Sequence, residues 1–121
     1  MSQHSVIAHW KALCEKSGAS VYSGRNFLDA RWEGGKQISL RVDEEVAGVP
    51  FPRGLVIELK RPLDSLNPGH FVFWGADEKQ AILQATGEDE NGDICGTGEV
   101  ILVERGQLEL FRPTGLVIDL E

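Results

Sequence analysis

Short runs of alternating apolar and polar residues, separated by turn-forming residues, make up the chain after Gly18. Residues 36–43 show the pattern most clearly, since every second position there is apolar: Ile38, Leu40 and Val42. A period of two is typical of a strand with one buried face. Because glycine, proline and asparagine break the pattern at intervals of roughly 8–12 residues, the sequence predicts an antiparallel barrel or sandwich.

Two pairs of residues mark the sharpest predicted turns. Gly34-Gly35 and Asn91-Gly92 suit hairpin loops of two residues, because these residue types accept the positive φ that such loops require. No second helix is long enough to connect parallel strands, so we expect antiparallel pairing. The predicted strands are residues 19–23, 27–33, 36–43, 55–60, 70–74, 80–86, 93–104, 107–111 and 116–120. A turn at residues 113–115 separates the last two, and Gly96 and Gly98 indicate a bulge or sharp bend in the strand over 93–104.

The segment before Gly18 has a helical period instead. Apolar residues fall on one face of a predicted helix over residues 5–17, namely Val6, Ile7, Trp10, Leu13 and Cys14. Gly18 can end this helix in the left-handed conformation. The helix is short and lacks the basic polar face of a membrane-surface helix, so we expect it to cover a sheet.

The length of 121 residues fits one domain. We therefore expect a single domain over residues 1–121, with a helix at residues 5–17 and a β-meander over residues 19–121. Its fold class is mainly β: an antiparallel β-barrel or a two-sheet sandwich of about eight to nine short strands with one N-terminal amphipathic α-helix. Periodicity does not reveal strand pairing, so barrel and sandwich both remain open.

The net charge of −7 is distributed unevenly along the sequence. Residues 1–61 sum to +2, whereas residues 62–121 sum to −9 and hold three basic residues, Lys79, Arg105 and Arg112. An acidic surface repels phosphate groups, which disfavours binding to nucleic acid and to anionic membranes. A basic protein surface would instead be attracted and steered towards it.

Neither a secretory signal nor a membrane-spanning run is recognisable in the sequence. Residues 1–18 are interrupted by charged residues and histidines, and no apolar run approaches the roughly 20 residues of a spanning helix. Two cysteines, Cys14 and Cys95, are too few for a disulfide framework and suit small buried positions. These features favour a cytoplasmic location.

Familiar catalytic and cofactor-binding motifs are missing from the sequence. It has no Walker A loop, dinucleotide-binding glycine pattern, His-Glu-x-x-His helix, nucleophile elbow or paired Cys-x-x-Cys unit. His4 and His9 are five residues apart, so they do not share a helix face that could bind a metal. We expect no cofactor, no metal and no enzymatic activity. An enzyme would need a site assembled from distant residues, such as an acid–base pair of His70 with Asp64 or with another carboxylate.

The turn over residues 88–93 carries four acidic residues, Glu88, Asp89, Glu90 and Asp93. Asp89, Asn91 and Asp93 have the spacing that begins a calcium loop. The match then fails, because the sixth position is Ile94 instead of glycine and the twelfth is Val100 instead of glutamate. The remaining interpretations are a solvated hairpin tip and an acidic docking surface for a basic partner.

Residues 70–74 form a strand that is apolar on both faces. His70 and Trp74 share one face, and Phe71 and Phe73 share the other. Such a strand either lies between two packed layers or lines a binding cavity. We therefore take His70 and Trp74 as candidate ligand-binding residues, with core packing as the alternative.

Two aromatic residues stand in positions that suit a protein contact. Trp32 lies beside the Gly34-Gly35 turn with arginines nearby, a common composition of interface hot spots and also of residues that cap a barrel. Phe51 lies between two prolines, in a stiff loop that loses little entropy on docking. The alternative for Phe51 is that it folds back onto the core.

The chain combines an uneven charge distribution with a β-rich fold and has no catalytic motif. These features favour a non-enzymatic, acidic protein-interaction domain of the inhibitor, immunity, chaperone or adaptor type. Its candidate contact residues are the four acidic residues of the turn, together with Trp32 and Phe51. One alternative is a carrier or sensor of a small apolar ligand within a β-barrel cavity. Another is a structural subunit of a larger assembly. The oligomeric state is left open.

Overall fold

One helix, eight strands and a 3-10 helix make up the described part of the chain. The computed structural model describes residues 3–41, 51–64, 66–88, 90–92 and 94–118. The elements are α1 (Gln3–Lys16), β1 (Ser20–Ser23), β2 (Phe27–Arg31), β3 (Gln37–Arg41), β4 (Leu55–Leu59), β5 (Gly69–Ala76), β6 (Gln80–Glu88), β7 (Ile94–Glu104), the 3-10 helix (Arg105–Leu110) and β8 (Phe111–Val117).

The strands form two antiparallel sheets. One sheet has the order β1-β2-β3, and the other has the order β7-β6-β5-β4-β8. The five-stranded sheet is not closed into a barrel, because no hydrogen-bonded ladder joins its edge strands β7 and β8 in the described chain. Of the two architectures predicted from the sequence, the two-sheet sandwich is the one that fits. The prediction of a mainly β fold with one N-terminal helix is confirmed.

Helix α1 and the three-stranded sheet cover one face of the five-stranded sheet. Helix α1 and strands β2 to β6 all contribute side chains to the core between them. Those that are at most 1% exposed include Trp10, Cys14, Leu28, Ile38, Leu40, Val56, Val72 and Ile82. This arrangement explains why the predicted apolar helix face and the alternating strands 27–31 and 37–41 face the same interior. Amphipathic elements bury their apolar sides against each other.

The opposite face of the five-stranded sheet holds a second core. Its buried members come from the loop before β4, from β4, β5, β6 and β7, from the 3-10 helix and from β8; they include Phe51, Ile57, Phe71, Phe73, Leu83, Leu108 and Phe111. The sheet curls around this core. The six residues of the 3-10 helix connect the edge strands β7 and β8 and advance about 12 Å. In a flat sheet these two strands would be four interstrand spacings, about 19 Å, apart.

The prediction of a strand over residues 107–111 is wrong. Residues Arg105–Leu110 form the 3-10 helix, and the Gln107 side-chain oxygen accepts a 3.0 Å hydrogen bond from the Glu104 amide at its start. The chain has to cross from one edge of the sheet to the other here, since β7 and β8 are its opposite edges. A strand paired to β7 could not make that crossing.

The last strand also begins earlier than predicted. Strand β8 covers Phe111–Val117, whereas the sequence indicated a turn at 113–115 and a strand at 116–120, of which residues 119–120 lie outside the described chain. The turn residues form an irregularity within the strand instead. Thr114 Oγ1 donates a 2.8 Å hydrogen bond to the Val56 carbonyl at the point where the register of β8 against β4 shifts.

Candidate functional site

The β6–β7 hairpin carries only negative charge, at its tip and along β7. Residues 80–104 contain no lysine or arginine and six acidic residues: Glu88, Asp89, Glu90, Asp93, Glu99 and Glu104. Glu88 and Glu90 are exposed at the tip, beside Gly92 with a φ of 82°. Asp89 and Asp93 lie outside the described residues. The antiparallel pairing of β6 with β7 confirms the predicted hairpin. The two-residue loop predicted for it is wrong, because Glu88 faces Ile94 and Gly92, but not Asn91, has a positive φ.

A bulge in β7 exposes a further carboxylate between the two ends of the hairpin. The register places Gln84 opposite Val100 and Thr86 opposite Gly96, so β7 advances by four residues where β6 advances by two. Bulges are predicted by the glycines of this strand, and they redirect the side chains that they contain. Glu99 lies within this bulge and is exposed.

The far end of the hairpin borders an open cleft of about 730 Å³. Its lining includes three carboxylates from the β5–β6 turn, the end of β7 and the 3-10 helix: Glu78, Glu104 and Glu109. Lys79 and Arg105 also border the cleft, and the buried side chain of Leu108 contributes an apolar surface. Nine residues of β6 separate this cleft from the tip, a distance of about 26 Å.

His70 and Trp74 lie on one face of β5 but at different depths. The His70 side chain is 40% exposed, and its Nε2 lies 3.7 Å from Glu58 Oε2 on the neighbouring strand β4. Trp74 is 2% exposed and donates a 2.8 Å hydrogen bond from its indole to Gln84 Oε1. Trp74 therefore belongs to the core beneath α1, and binding of a ligand by this pair stays a prediction.

An acid–base pair of His70 would form with a carboxylate other than Asp64. Glu58 is the carboxylate beside His70, whereas Asp64 Oδ2 accepts a 3.4 Å hydrogen bond from Gln107 Nε2. The nearby hydroxyl of Thr86 donates to the His70 carbonyl at 2.8 Å. This hydroxyl is therefore engaged with the backbone, where it supports the sheet.

Trp32 and Phe51 are both packed against other parts of the chain. Trp32 is half-buried, and its indole donates a 3.1 Å hydrogen bond to Ser17 Oγ after the end of α1. Phe51 is 9% exposed, with its ring centroid 5.9 Å from that of Phe73. Phe51 thus folds back onto the core, as the second of its two interpretations describes. A partner contact through either residue stays a prediction.

A bulge in β5 creates a polar cluster that the sequence does not reveal. Phe73 pairs with Leu83 and Gly75 with Ile82, which leaves Trp74 as the extra residue of the bulge. The ring of His9, on α1, lies edge-on to Trp74 with a centroid distance of 4.7 Å. Its Nε2 atom is buried without a hydrogen-bond partner among the described residues.

Trp10 and Arg53 complete this cluster. The Arg53 guanidinium carbon lies 4.8 Å from the centroid of the Trp10 ring, and Arg53 Nε donates to the Trp74 carbonyl at 3.4 Å. Trp10 is fully buried, and its Nε1–H has no acceptor in the described chain. Gly75 allows the close packing, since a Cβ there would lie 3.4 Å from Trp10 Cζ2 and 3.0 Å from Leu40 Cδ2.

Burial changes the titration of three groups around α1. It lowers the pKa of His9 and that of Arg53, because the charged forms of both are less well solvated there. Burial also raises the pKa of the Cys14 thiol to about 11, with a smaller contribution from the negative charge of Glu15. His9 is therefore favoured as a neutral imidazole, and Cys14 as a thiol.

Comparison with models of protein families, with curated proteins and with solved structures finds no match. Within the described ranges, no three histidine, cysteine, aspartate or glutamate side chains are grouped as a metal site. No helix in those ranges is long and apolar enough to cross a membrane; α1 has 14 residues.

Proposed function

We propose that this chain is a non-enzymatic protein-interaction domain, and that its β6–β7 hairpin binds a basic surface of a partner protein. The observation that carries the proposal is the charge of the hairpin. Residues 80–104 hold six acidic residues and no basic one. Glu88, Glu90 and Glu99 are exposed along the tip and the edge strand β7.

The position of the hairpin at the sheet edge suits this role. Strand β7 is an edge strand of the five-stranded sheet, so one side of its backbone pairs with no other strand of the described chain. Carboxylates along an edge discourage pairing with another copy of the same acidic chain and favour a partner of opposite charge. Charge of one sign over such a length also speeds the diffusional encounter with a basic protein.

We propose a cytoplasmic protein of the inhibitor, immunity, chaperone or adaptor type that uses no cofactor. Its acidic surface disfavours nucleic acid as a partner, because the phosphate backbone carries charge of the same sign.

A pair of charge-reversed variants tests the proposal. Tagged wild-type chain, Glu88→Lys/Glu90→Lys and the control Glu15→Lys/Glu33→Lys are used to recover binding proteins from lysate of the host, which are quantified by mass spectrometry. Each variant replaces two glutamates by lysines, so the two variants have the same net charge. All four glutamates are exposed, so we expect both variants to fold like the wild type. The recovery of basic partner proteins should fall by roughly tenfold or more with the hairpin variant and should not change with the control.

Salt dependence provides a second measurement on the same partner. Binding should weaken as the salt concentration rises from 0.05 to 0.3 M, an illustrative range over which screening becomes roughly two to three times stronger. Equal recovery of every partner by the wild type and the hairpin variant would show that the hairpin charge does not select partners.

A further inference from the structure

The cluster beneath α1 contains two buried nitrogen atoms that have no hydrogen-bond partner among the described residues. The indole of Trp10 can only donate, and its Nε1 is buried without a protein acceptor among the described residues. The Nε2 atom of His9, the preceding residue of α1, is also buried without a hydrogen-bond partner in the described chain. Native proteins satisfy the great majority of buried polar groups, so two such atoms on adjacent residues require a structural explanation.

Arg53 adds a positive charge to these donors. A guanidinium carries five N–H donors, of which Nε reaches the Trp74 carbonyl at a long 3.4 Å. No carboxylate of the described residues forms an ion pair with it. Its guanidinium carbon lies over the Trp10 ring, 4.8 Å from the ring centroid. The guanidinium is thus held in place by contacts that do not use its terminal N–H groups.

We propose that His9, Trp10 and Arg53 form a binding site for a small oxyanion, a carboxylate or a phosphate group. Such a ligand supplies the acceptors that Trp10 Nε1 and the guanidinium lack, and its negative charge compensates the partly desolvated arginine. Charge-assisted hydrogen bonds from arginine to these two groups are among the strongest in proteins.

A neighbouring tryptophan holds His9 and Arg53 in place. Trp74, displaced by the bulge in β5, contacts both His9 and Arg53 and is itself satisfied by Gln84. It therefore positions the two ligand-binding residues and leaves them free to bind. Residues 1–61, which include all three proposed ligand-binding residues, carry a net charge of +2 in a chain whose total is −7.

The indole N–H signals of the three tryptophans allow a direct test by ¹H–¹⁵N NMR. Inorganic phosphate and acetate are titrated separately into the full chain, with sodium chloride as a control at matched ionic strength. We expect the Trp10 indole signal to move and to saturate with phosphate or acetate. The Trp32 indole, which already donates to Ser17 Oγ, should not move.

The two anions distinguish the sources of the ligand. A stronger response to phosphate assigns the site to a phosphorylated ligand, and a stronger response to acetate assigns it to a carboxylate. The absence of a saturable Trp10 shift with both anions, or the same shift with chloride, would overturn the proposal.

Arg53→Met tests the role of the guanidinium, since methionine keeps an apolar contact on the Trp10 ring without the charge. The dissociation constant should rise by about tenfold to a hundredfold. The control Arg31→Met removes an exposed arginine at the end of β2 and should bind like the wild type. Unchanged affinity of a folded Arg53→Met would refute the site. If Arg53→Met does not fold, Arg53→Lys is titrated in its place, because lysine keeps the charge but lacks the two parallel N–H donors of the guanidinium. The same rise of the dissociation constant is expected.

Discussion

The indole N–H of Trp74 donates a 2.8 Å hydrogen bond to Oε1 of Gln84, a side chain that is 6% exposed. The two residues come from neighbouring strands, β5 and β6, and the bond lies beneath α1. Because both groups are buried, each one depends on the other for its hydrogen bond. Four consequences of the packing in and around this region can be measured.

Trp74→Phe should leave Gln84 Oε1 buried without its donor. We expect a loss of unfolding free energy of about 1–3 kcal/mol for the unpaired acceptor, in addition to the cost of the smaller ring. Urea unfolding of Trp74→Phe, Gln84→Met and the double variant measures this coupling. The double variant should lose less than the sum of the single losses. Strict additivity would show that the hydrogen bond contributes nothing to stability.

Gly96→Ala should disturb the same glutamine from the opposite side. A Cβ at position 96 would lie 2.6 Å from Gln84 Cδ, too close for an ordinary contact. We expect a loss of about 1–3 kcal/mol, because Gln84 has to move from its place beside Trp74. The loss should shrink in a Gln84→Ala background.

Gly106→Ala is the matched control for that substitution, since a Cβ there would meet nothing within 4 Å. It should change the unfolding free energy by less than about 0.5 kcal/mol. If Gly96→Ala lowers the unfolding free energy equally in the wild type and in the Gln84→Ala background, the contact with Gln84 is not the cause of the loss.

The stability of the protein should fall as the pH drops below 6.5, the pKa expected for histidine in the unfolded chain. Burial lowers the pKa of His9 in the folded chain, so the unfolded state binds more protons in the interval between the two pKa values. The contribution of His9 is therefore complete above pH 6.5 and is lost towards the lower folded pKa. Arg53 stays positively charged throughout and shares the cluster, which adds to the cost of protonation.

Chemical denaturation in chloride buffer between pH 7.5 and pH 5 follows this change. His9→Phe should flatten the pH dependence, whereas His70→Gln should preserve it, since His70 lies beside Glu58 on the far part of β5. A steep fall in stability that survives in His9→Phe would assign the effect to other groups.

Cys14 should react with thiol reagents only when the helix detaches or the chain unfolds. It is fully buried, and its pKa is raised to about 11, so both access and thiolate formation are suppressed. The reaction of a Cys95→Ser variant with a disulfide reagent reports Cys14 alone. Its rate should stay far below that of a free thiol and rise steeply with urea. Rapid labelling in native buffer would contradict the packing of α1.

Local periodicity was enough to predict most of the strands. Alternation at Ile38 and Leu40 describes a strand whose buried positions are the apolar ones, and Gly92 adopts the positive φ that its turn requires. These features depend on residues close in sequence. The choice of a sandwich over a barrel depends instead on whether β7 pairs with β8, and no local pattern encodes that pairing.

The candidate sites show the same division. The acidic hairpin could be predicted, because its charge and its turn lie within one continuous segment. The cluster of His9, Trp10 and Arg53 could not, since it depends on how α1 and the turn before β4 meet at the bulge around Trp74. A Pro-Arg-Gly turn at residues 52–54 was the available signal, yet arginine in a turn is usually solvated.

The pairing of β4 with β8 has a consequence for synthesis on the ribosome. Leu59 lies opposite Phe111, its partner in the ladder, so β4 emerges long before the strand that covers its edge. During that interval the apolar segment Leu55–Leu59 presents an open edge that can pair with other nascent chains. Completion of the fold therefore waits for one of its most distant contacts, a topology associated with slow folding and with a need for protection while the chain is being made.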